Sequence, residues 1–157
     1  MNPALQILLE QTTCGAIAAA GFAVLFNVSF RLLPWCAAFG ALALAVRTGC
    51  QDIGWALEGA SFAAALAAGV AVQLLRVARP DISQSALAVV GCIPMIPGSF
   101  AANAILGLYA LTTGRAENDP QTLITAVQFA LRVMCIIGAI GTGLAIPALV
   151  TRVRVLR

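Results

Sequence analysis

Apolar residues are gathered into five segments along the chain, separated by short polar stretches. The segments are Leu5–Asn27, Leu32–Val46, Ile53–Leu75, Ile82–Ala110 and Thr122–Val150. A transmembrane helix needs about 20 apolar residues, which the first and third segments supply. The second segment is short and either crosses or forms a re-entrant or interfacial piece, whereas the last two are long enough to tilt or to contain a break. The pattern predicts an all-α integral membrane protein with about five transmembrane helices, forming a single transmembrane domain over residues 1–157.

The composition supports this prediction and excludes several other classes. Hydrophobic residues make up 61% of the 157 residues and charged residues only 10%, far below the roughly 25% that soluble domains carry. The net charge is 9 − 6 = +3 and the arginines are scattered, so no nucleic-acid partner is expected. There is no histidine, and the five cysteines stand singly, which predicts no metal site and no cofactor.

The arginines that flank the segments predict an orientation. If all five segments cross, six arginines lie on one side (Arg31, Arg76, Arg79, Arg152, Arg154 and Arg157) and two on the other (Arg47 and Arg115). If the second segment does not cross, the division is five against three. The positive-inside rule therefore favours five spans, with the N-terminus outside and the C-terminus in the cytoplasm.

The fourth segment contains a helix-breaking motif in a membrane interior. It lies within 33 residues, from Ile82 to Gly114, that carry no charged side chain, yet it includes the sequence PMIPG from Pro94 through Pro97 to Gly98. Each proline removes a backbone donor and obstructs the helix, and glycine weakens the next turn. We therefore expect the fourth helix to be broken near the bilayer centre at Pro94–Gly98. Its freed backbone groups must face protein, water or a ligand, since lipid cannot satisfy them.

The half-helix after this break is a candidate substrate site. Its N-terminal amides would carry partial positive charge toward the bilayer centre, where they would bind a carboxylate. We expect Ser99 to cap this half-helix and Asn103, one turn later, to add an amide on the same face. Pro94, Pro97 and Gly98 would form the break itself, as in the discontinuous helices of secondary transporters. The alternative is a proline kink that neighbouring helices satisfy.

Two charged residues inside apolar segments add to this picture. Arg132 lies about ten residues into the fifth segment, and an antiparallel fourth and fifth segment would place it at the depth of Pro97. It would suit an anionic substrate; the alternative is a structural ion pair or an interfacial position. Glu10, about two turns into the first segment, is a candidate proton-coupling residue if desolvation favours its protonated form. Its alternative is an ordinary interfacial charge, and Asp52 and Glu58 are interpreted as solvated acids.

Two motifs resemble those of a known family. The stretch GFAVLFNVSFRLLPWCAAFGA, from Gly21 to Ala41, resembles the opening motif of the small subunit of split threonine/serine exporters, and IPMIPG resembles that family's later proline-glycine signature. Segment order and the basic C-terminal tail also agree. The family motifs carry over to Phe26, Asn27, Arg31 and Arg47 as structural residues, and to Pro94, Pro97 and Gly98. Ser29 stands where the family often has proline.

The resemblance implies a function for the chain. It would be the membrane subunit of a two-component exporter in the bacterial inner membrane, working with a larger subunit that has its own helices and a cytoplasmic portion. The cargo would be a small carboxylate metabolite, either threonine and serine or a dicarboxylate such as succinate, and export would be driven by the proton motive force.

Two other functional classes compete with export. An integral membrane enzyme would need clustered acids or a nucleophile with its base, and no two acids share helical spacing within a span. We therefore expect no enzymatic activity. A non-transporting assembly or stabilising subunit of a larger complex would explain the small-residue surfaces at Ala65 with Gly69 and at Gly138 with Gly141 and Thr142.

Overall fold

The computed structural model describes residues 3–78, 84–113 and 120–155, and these form helices joined by short turns. The helices are α1 (Pro3–Leu25), α2 (Leu33–Asp52), α3 (Leu57–Ala78), α4 (Gln84–Cys92), α5 (Gly98–Thr112) and α6 (Pro120–Val155), with 3-10 turns at Phe30–Leu32 and Ile93–Met95. Arg79, Arg115 and Arg157, which entered the orientation argument, lie outside the described residues.

Four of these helices are long and apolar enough to cross a membrane, counting only the described residues: Leu5–Leu25, Phe30–Asp52, Leu57–Arg76 and Gln121–Thr151. A fifth candidate is the interrupted pair Leu87–Met95 and Gly98–Thr112, which is long and apolar enough to cross a membrane only if its two parts form one span. The all-α membrane class and the broken fourth segment are therefore confirmed. The second segment gains span length because α2 continues to Asp52, six residues beyond the apolar run.

The α1–α2 turn explains why asparagine occupies position 27. Asn27 has a φ of 54°, the left-handed conformation that asparagine tolerates better than most residues. Its N–H donates to the carbonyl of Val24 at 3.0 Å, and the N–H of Val28 donates to the carbonyl of Ala23 at 2.9 Å. These two bonds form a Schellman motif that ends α1. Ser29 follows with φ −53° and ψ 136°, angles that proline also adopts.

The same device ends α2. Gly54 has a φ of 90°, its N–H donates to the carbonyl of Gln51 at 2.9 Å, and the N–H of Trp55 donates to the carbonyl of Cys50 at 3.0 Å. Glycine adopts this conformation without a steric penalty. Both turns satisfy carbonyls that would otherwise be left unpaired where each helix ends.

The chain divides into two compact units, one formed by Met1–Met95 with Ala139–Arg157 and the other by Ile96–Gly138. In the first unit, α1 and α2 cross where both lack side chains. A Cβ built on Gly15 would lie 2.8 Å from the carbonyl oxygen of Gly40, so both positions require glycine for this approach. Gly91 of α4 is similarly tight, because a Cβ there would lie 2.8 Å from the Cβ of Phe39.

The C-terminal part of α6 completes the first unit by packing on α3. A Cβ on Gly143 would lie 2.8 Å from that of Ala65, and a Cβ on Gly69 would lie 3.1 Å from Pro147. Ala65 and Gly69 therefore form a packing surface within the chain. By contrast, a Cβ on Gly141 would meet no atom within 4 Å in the described part of the chain.

The second unit pairs α5 with the first part of α6. A Cβ on Gly107 would lie 2.7 Å from the Cβ of Ala126, so the helices approach closely here. Nearer the start of α5, the rings of Phe100 and Phe129 stack at an angle, with centroids 5.6 Å apart. The small pair and the aromatic pair fix the register between the two helices.

Candidate functional site

The helix break lies where the prolines predict it. α4 ends at Cys92, the 3-10 turn Ile93–Met95 follows, and α5 begins at Gly98. The N–H of Gly98 donates to the carbonyl of Ile96 at 2.9 Å, and the N–H of Ala101 donates to that of Pro97 at 3.1 Å. The turn therefore satisfies part of its own backbone, as a membrane interior requires.

The predicted cap at Ser99 is wrong. Pro97 occupies the N-cap position of α5, and no side-chain hydrogen bond caps the helix there. Ser99 lies inside the first turn and is exposed, because the helix begins at Gly98 and leaves the serine too late in the chain to cap it. Its hydroxyl is presented at the surface near the helix start.

Arg47 is the cation that contacts the break in the first unit. It is half-buried, and its Nη1 donates a hydrogen bond to the carbonyl oxygen of Met95 at 3.1 Å. The sequence placed Arg47 just beyond an apolar run, as a flanking charge, but α2 continues past it to Asp52. A guanidinium therefore satisfies one of the carbonyls at the break. The proline motif predicts a need for such a partner but not which residue supplies it.

A cavity of about 380 Å³ adjoins this contact. Its polar lining comes from α1 and the last turns of α2, while apolar residues and the break complete the wall. The lining residues are Gln11, Arg47, Thr48, Gln51 and Asp52 on the polar side, and Ile7, Leu44, Leu57 and Pro94 on the apolar side. The cavity thus carries one positive and one negative side chain within an otherwise neutral wall.

Asp52 occupies an electrostatically unfavourable position for a carboxylate. It is the last residue of α2, where the helix dipole places partial negative charge. It was expected to be a solvated loop acid; it is exposed, but it also lines the cavity that contains Arg47. Local helix stability does not account for an acid at this position.

The second unit holds Arg132 and Asn103. The guanidinium carbon of Arg132 lies 5.1 Å from the ring centroid of Phe100, a cation–π geometry. Because Phe100 is the third residue of α5, this contact places Arg132 at the level of that helix's first turn. Asn103 is exposed and lines a cavity of about 270 Å³ with Gly107, Gln121, Thr122, Thr125 and Ala126. The binding roles of Arg132 and Asn103 stay predictions.

The remaining candidates lie on helix surfaces and turns. Glu10 is exposed on α1 and accepts a hydrogen bond from Nε2 of Gln6 at 3.0 Å. Phe26 and Arg31 are exposed on either side of the α1–α2 turn. The described residues contain no group of three or more histidine, cysteine, aspartate or glutamate side chains that could hold a metal ion.

The predicted substrate-binding residues therefore fall into two sets. Pro94 lies with Arg47 in the first unit, and the others, Pro97, Gly98, Ser99, Asn103 and Arg132, belong to the second. Thr48, Gln51 and Asp52 were missed as candidate site residues. The sequence feature that could have identified them is the polar cluster between the apolar run and Gly54. A glycine at that position indicates that the helix continues through the polar residues before it ends.

Comparison with known proteins completes this description. No solved structure matches the chain. A protein-family model described as Threonine/Serine exporter, ThrE, matches residues 11–150. The match extends from the middle of α1 to near the end of α6. The chain belongs to the threonine/serine exporter family.

Proposed function

We propose that this chain is the membrane subunit of a two-component exporter of small carboxylate metabolites. Family membership implies a membrane component of a threonine/serine exporter. The observation that carries the proposal is Arg47, a half-buried cation of a candidate membrane-spanning helix that contacts a broken helix beside a polar cavity. An intramembrane arginine is expensive unless it faces a cavity or a counter-ion, and a carboxylate cargo would supply that counter-ion.

The cargo in this proposal is threonine or serine, with a dicarboxylate such as succinate as the other candidate. Both present a carboxylate, which arginine binds through paired hydrogen bonds. Export is driven by the proton motive force, with Glu10 as the candidate proton carrier. Pro94, Pro97 and Gly98 form the break, and Ser99, Asn103 and Arg132 are the candidate substrate-binding residues of the second unit.

The second component is a larger subunit with its own transmembrane helices and a cytoplasmic portion. Support comes from the family and from the count of four or five candidate spans among the described residues, since transporters commonly combine two sets of helices. The complex lies in the bacterial inner membrane, with the N-terminus of this chain outside and its C-terminus in the cytoplasm.

An efflux assay tests this function. Cells preloaded with labelled threonine, serine or succinate would express this chain alone, the chain with its larger partner, or neither. We expect efflux only when both are present, reduced by Pro97→Ala and Arg132→Ala while membrane insertion is unchanged. Collapse of the proton gradient should abolish it. Equal efflux with and without the partner would contradict the two-component arrangement, and normal efflux from both variants would contradict their roles.

A non-transporting assembly subunit is the second candidate, and an exposed glycine favours it. Among the described residues, no atom lies within 4 Å of a Cβ built on Gly141 of α6, which suits close packing of a helix from another protein. In this case Gly141→Leu would abolish assembly and function, whereas Arg47→Gln and Arg132→Ala would leave efflux unchanged. Co-purification of the partner with each variant separates the two candidates.

A further inference from the structure

We infer that the 380 Å³ cavity of the first unit is a zwitterion site, in which Arg47 binds the carboxylate of an α-amino acid and Asp52 binds its ammonium group. This rests on the proposed export function and deepens it. It gives the cavity a specific cargo chemistry and assigns a substrate contact to Asp52.

Arg47 has the donors needed for both of its contacts. Its contact with the Met95 carbonyl uses Nη1, and a guanidinium offers five N–H donors arranged as a rigid fork. A carboxylate can therefore bind along another edge of the fork while the Met95 contact holds the side chain in place. Fixing the guanidinium in advance reduces the entropy that the cargo must lose to be bound.

Asp52 supplies the opposite charge in the same cavity. It lies five residues after Arg47 on α2, an axial separation of about 7.5 Å and a rotation of about 140° around the helix, yet both side chains line the cavity. The two charges therefore face a common space from different sides of α2, as a cargo with one positive and one negative group requires. The negative charge at the end of α2, which the helix dipole disfavours, then has a binding role.

The neutral polar residues fit the rest of such a cargo. Thr48 is 7% exposed and lies between the two charged residues in the sequence of α2, and Gln11 and Gln51 also line the cavity. Hydroxyl and amide groups bind a cargo hydroxyl without adding charge. Asp52 would repel the second carboxylate of a dicarboxylate, so the cavity favours a zwitterion over succinate.

Competition binding tests the inference. The exporter, with its partner, would be reconstituted in nanodiscs and loaded with labelled threonine. The competitors are 3-hydroxybutyrate, which lacks the ammonium, threoninamide, which lacks the carboxylate, and succinate. Wild type should bind threonine best. Asp52→Asn should weaken threonine binding about tenfold or more, because it removes the charge that holds the cargo's ammonium group, while 3-hydroxybutyrate and succinate bind unchanged or more tightly.

Arg47→Gln provides the complementary test. Glutamine removes the positive charge, so binding of threonine should fall about tenfold or more while that of threoninamide changes little. Glu58→Gln and Arg76→Gln, which neutralise charges outside the cavity lining, serve as controls and should bind threonine normally.

The outcomes separate this inference from the proposed function. Normal threonine binding and selectivity in both Asp52→Asn and Arg47→Gln, in a wild type that binds and exports threonine, would overturn the zwitterion site alone. Equal weakening of all four compounds by Asp52→Asn would also overturn it, because a structural role does not distinguish the ammonium. A wild type that binds none of them would overturn both.

Discussion

Arg47 provides a hydrogen-bond donor for a backbone carbonyl at a helix break in a distant part of the chain. Two prolines interrupt the fourth segment, and the carbonyl of Met95 between them accepts a hydrogen bond from Nη1 of Arg47. The prolines and their effect could be predicted from the sequence because that effect is local. The partner could not, because the two residues are 48 positions apart and their meeting depends on how α2 packs.

Replacing Arg47 should show what its contact with the break contributes to stability. Arg47→Leu leaves the Met95 carbonyl without this donor, which should lower the free energy of unfolding by about 1–3 kcal/mol. Arg47→Lys, which keeps a charged donor on a side chain one bond shorter, should lower it by less. Thermal unfolding of the purified protein in detergent measures both. Equal stability of Arg47→Leu and wild type would show that the hydrogen bond contributes nothing to the fold.

Asn27 permits a second test at the scale of one residue. Its φ of 54° is open to glycine but strained for a β-branched side chain. Asn27→Gly should fold with unchanged stability within about 0.5 kcal/mol, whereas Asn27→Val should lose about 1–2 kcal/mol. The unfolding midpoints of the two variants, measured under the same conditions, test this prediction. A valine variant as stable as the glycine variant would argue against the left-handed conformation at position 27.

At the scale of the helix, apolar length and helix length differ where polar residues continue a helix past its apolar run. The apolar run ending at Val46 is 15 residues long, yet α2 extends to Asp52. Helical hydrogen bonds do not require apolar side chains, so the polar end of α2 remains helical until Gly54 ends it. The position of Gly54 in the sequence could therefore have been used to predict the C-terminal end of α2. The break between α4 and α5 was predicted correctly because proline acts on the backbone directly.

Close helix contacts give the prediction that belongs to this scale. Gly40→Ala introduces a methyl group against Gly15 and Ala19 of α1, so it should separate α1 from α2 and lower the unfolding temperature. Gly21→Ala adds the same group to α1 at a position where no atom of the described residues lies within 4 Å of it. It should leave stability unchanged or raise it by about 0.5–1 kcal/mol through helix propensity. Comparable losses in both variants would mean that the effect is not steric.

At the scale of the whole molecule, the fold class was evident from composition and segment length, since a chain that is 61% hydrophobic cannot expose that surface to water. The arrangement of the charged cavity was not evident. Gln11 comes from α1, Arg47 and Asp52 from α2, and Pro94 from the 3-10 turn of the break, and their meeting depends on tertiary packing. The sequence identifies the single residues that form the two Schellman turns and the glycine contacts. It does not show which helix each glycine packs against, so the packing could not be predicted from it.

Five crossings would place the two termini on opposite sides of the membrane. A reporter active only in the cytoplasm should therefore work when fused after Arg157 and fail before Met1, while a periplasmic reporter should show the reverse. Insertion of either reporter between Gln51 and Ala56 should match the N-terminal result, because α1 and α2 form two crossings. Identical signals from both termini would mean an even number of crossings.

The hydrogen bond between Arg47 and Met95 also implies a reciprocal relation. If the contact with that carbonyl fixes the guanidinium for cargo binding, bound cargo must stabilise the contact by the same factor, because the free energy of coupling between two equilibria is symmetric. Variants that favour or disfavour the 3-10 turn Ile93–Met95 would then shift cargo affinity without contacting the cargo. In such an exporter, the affinity for cargo depends on the backbone conformation of the helix break.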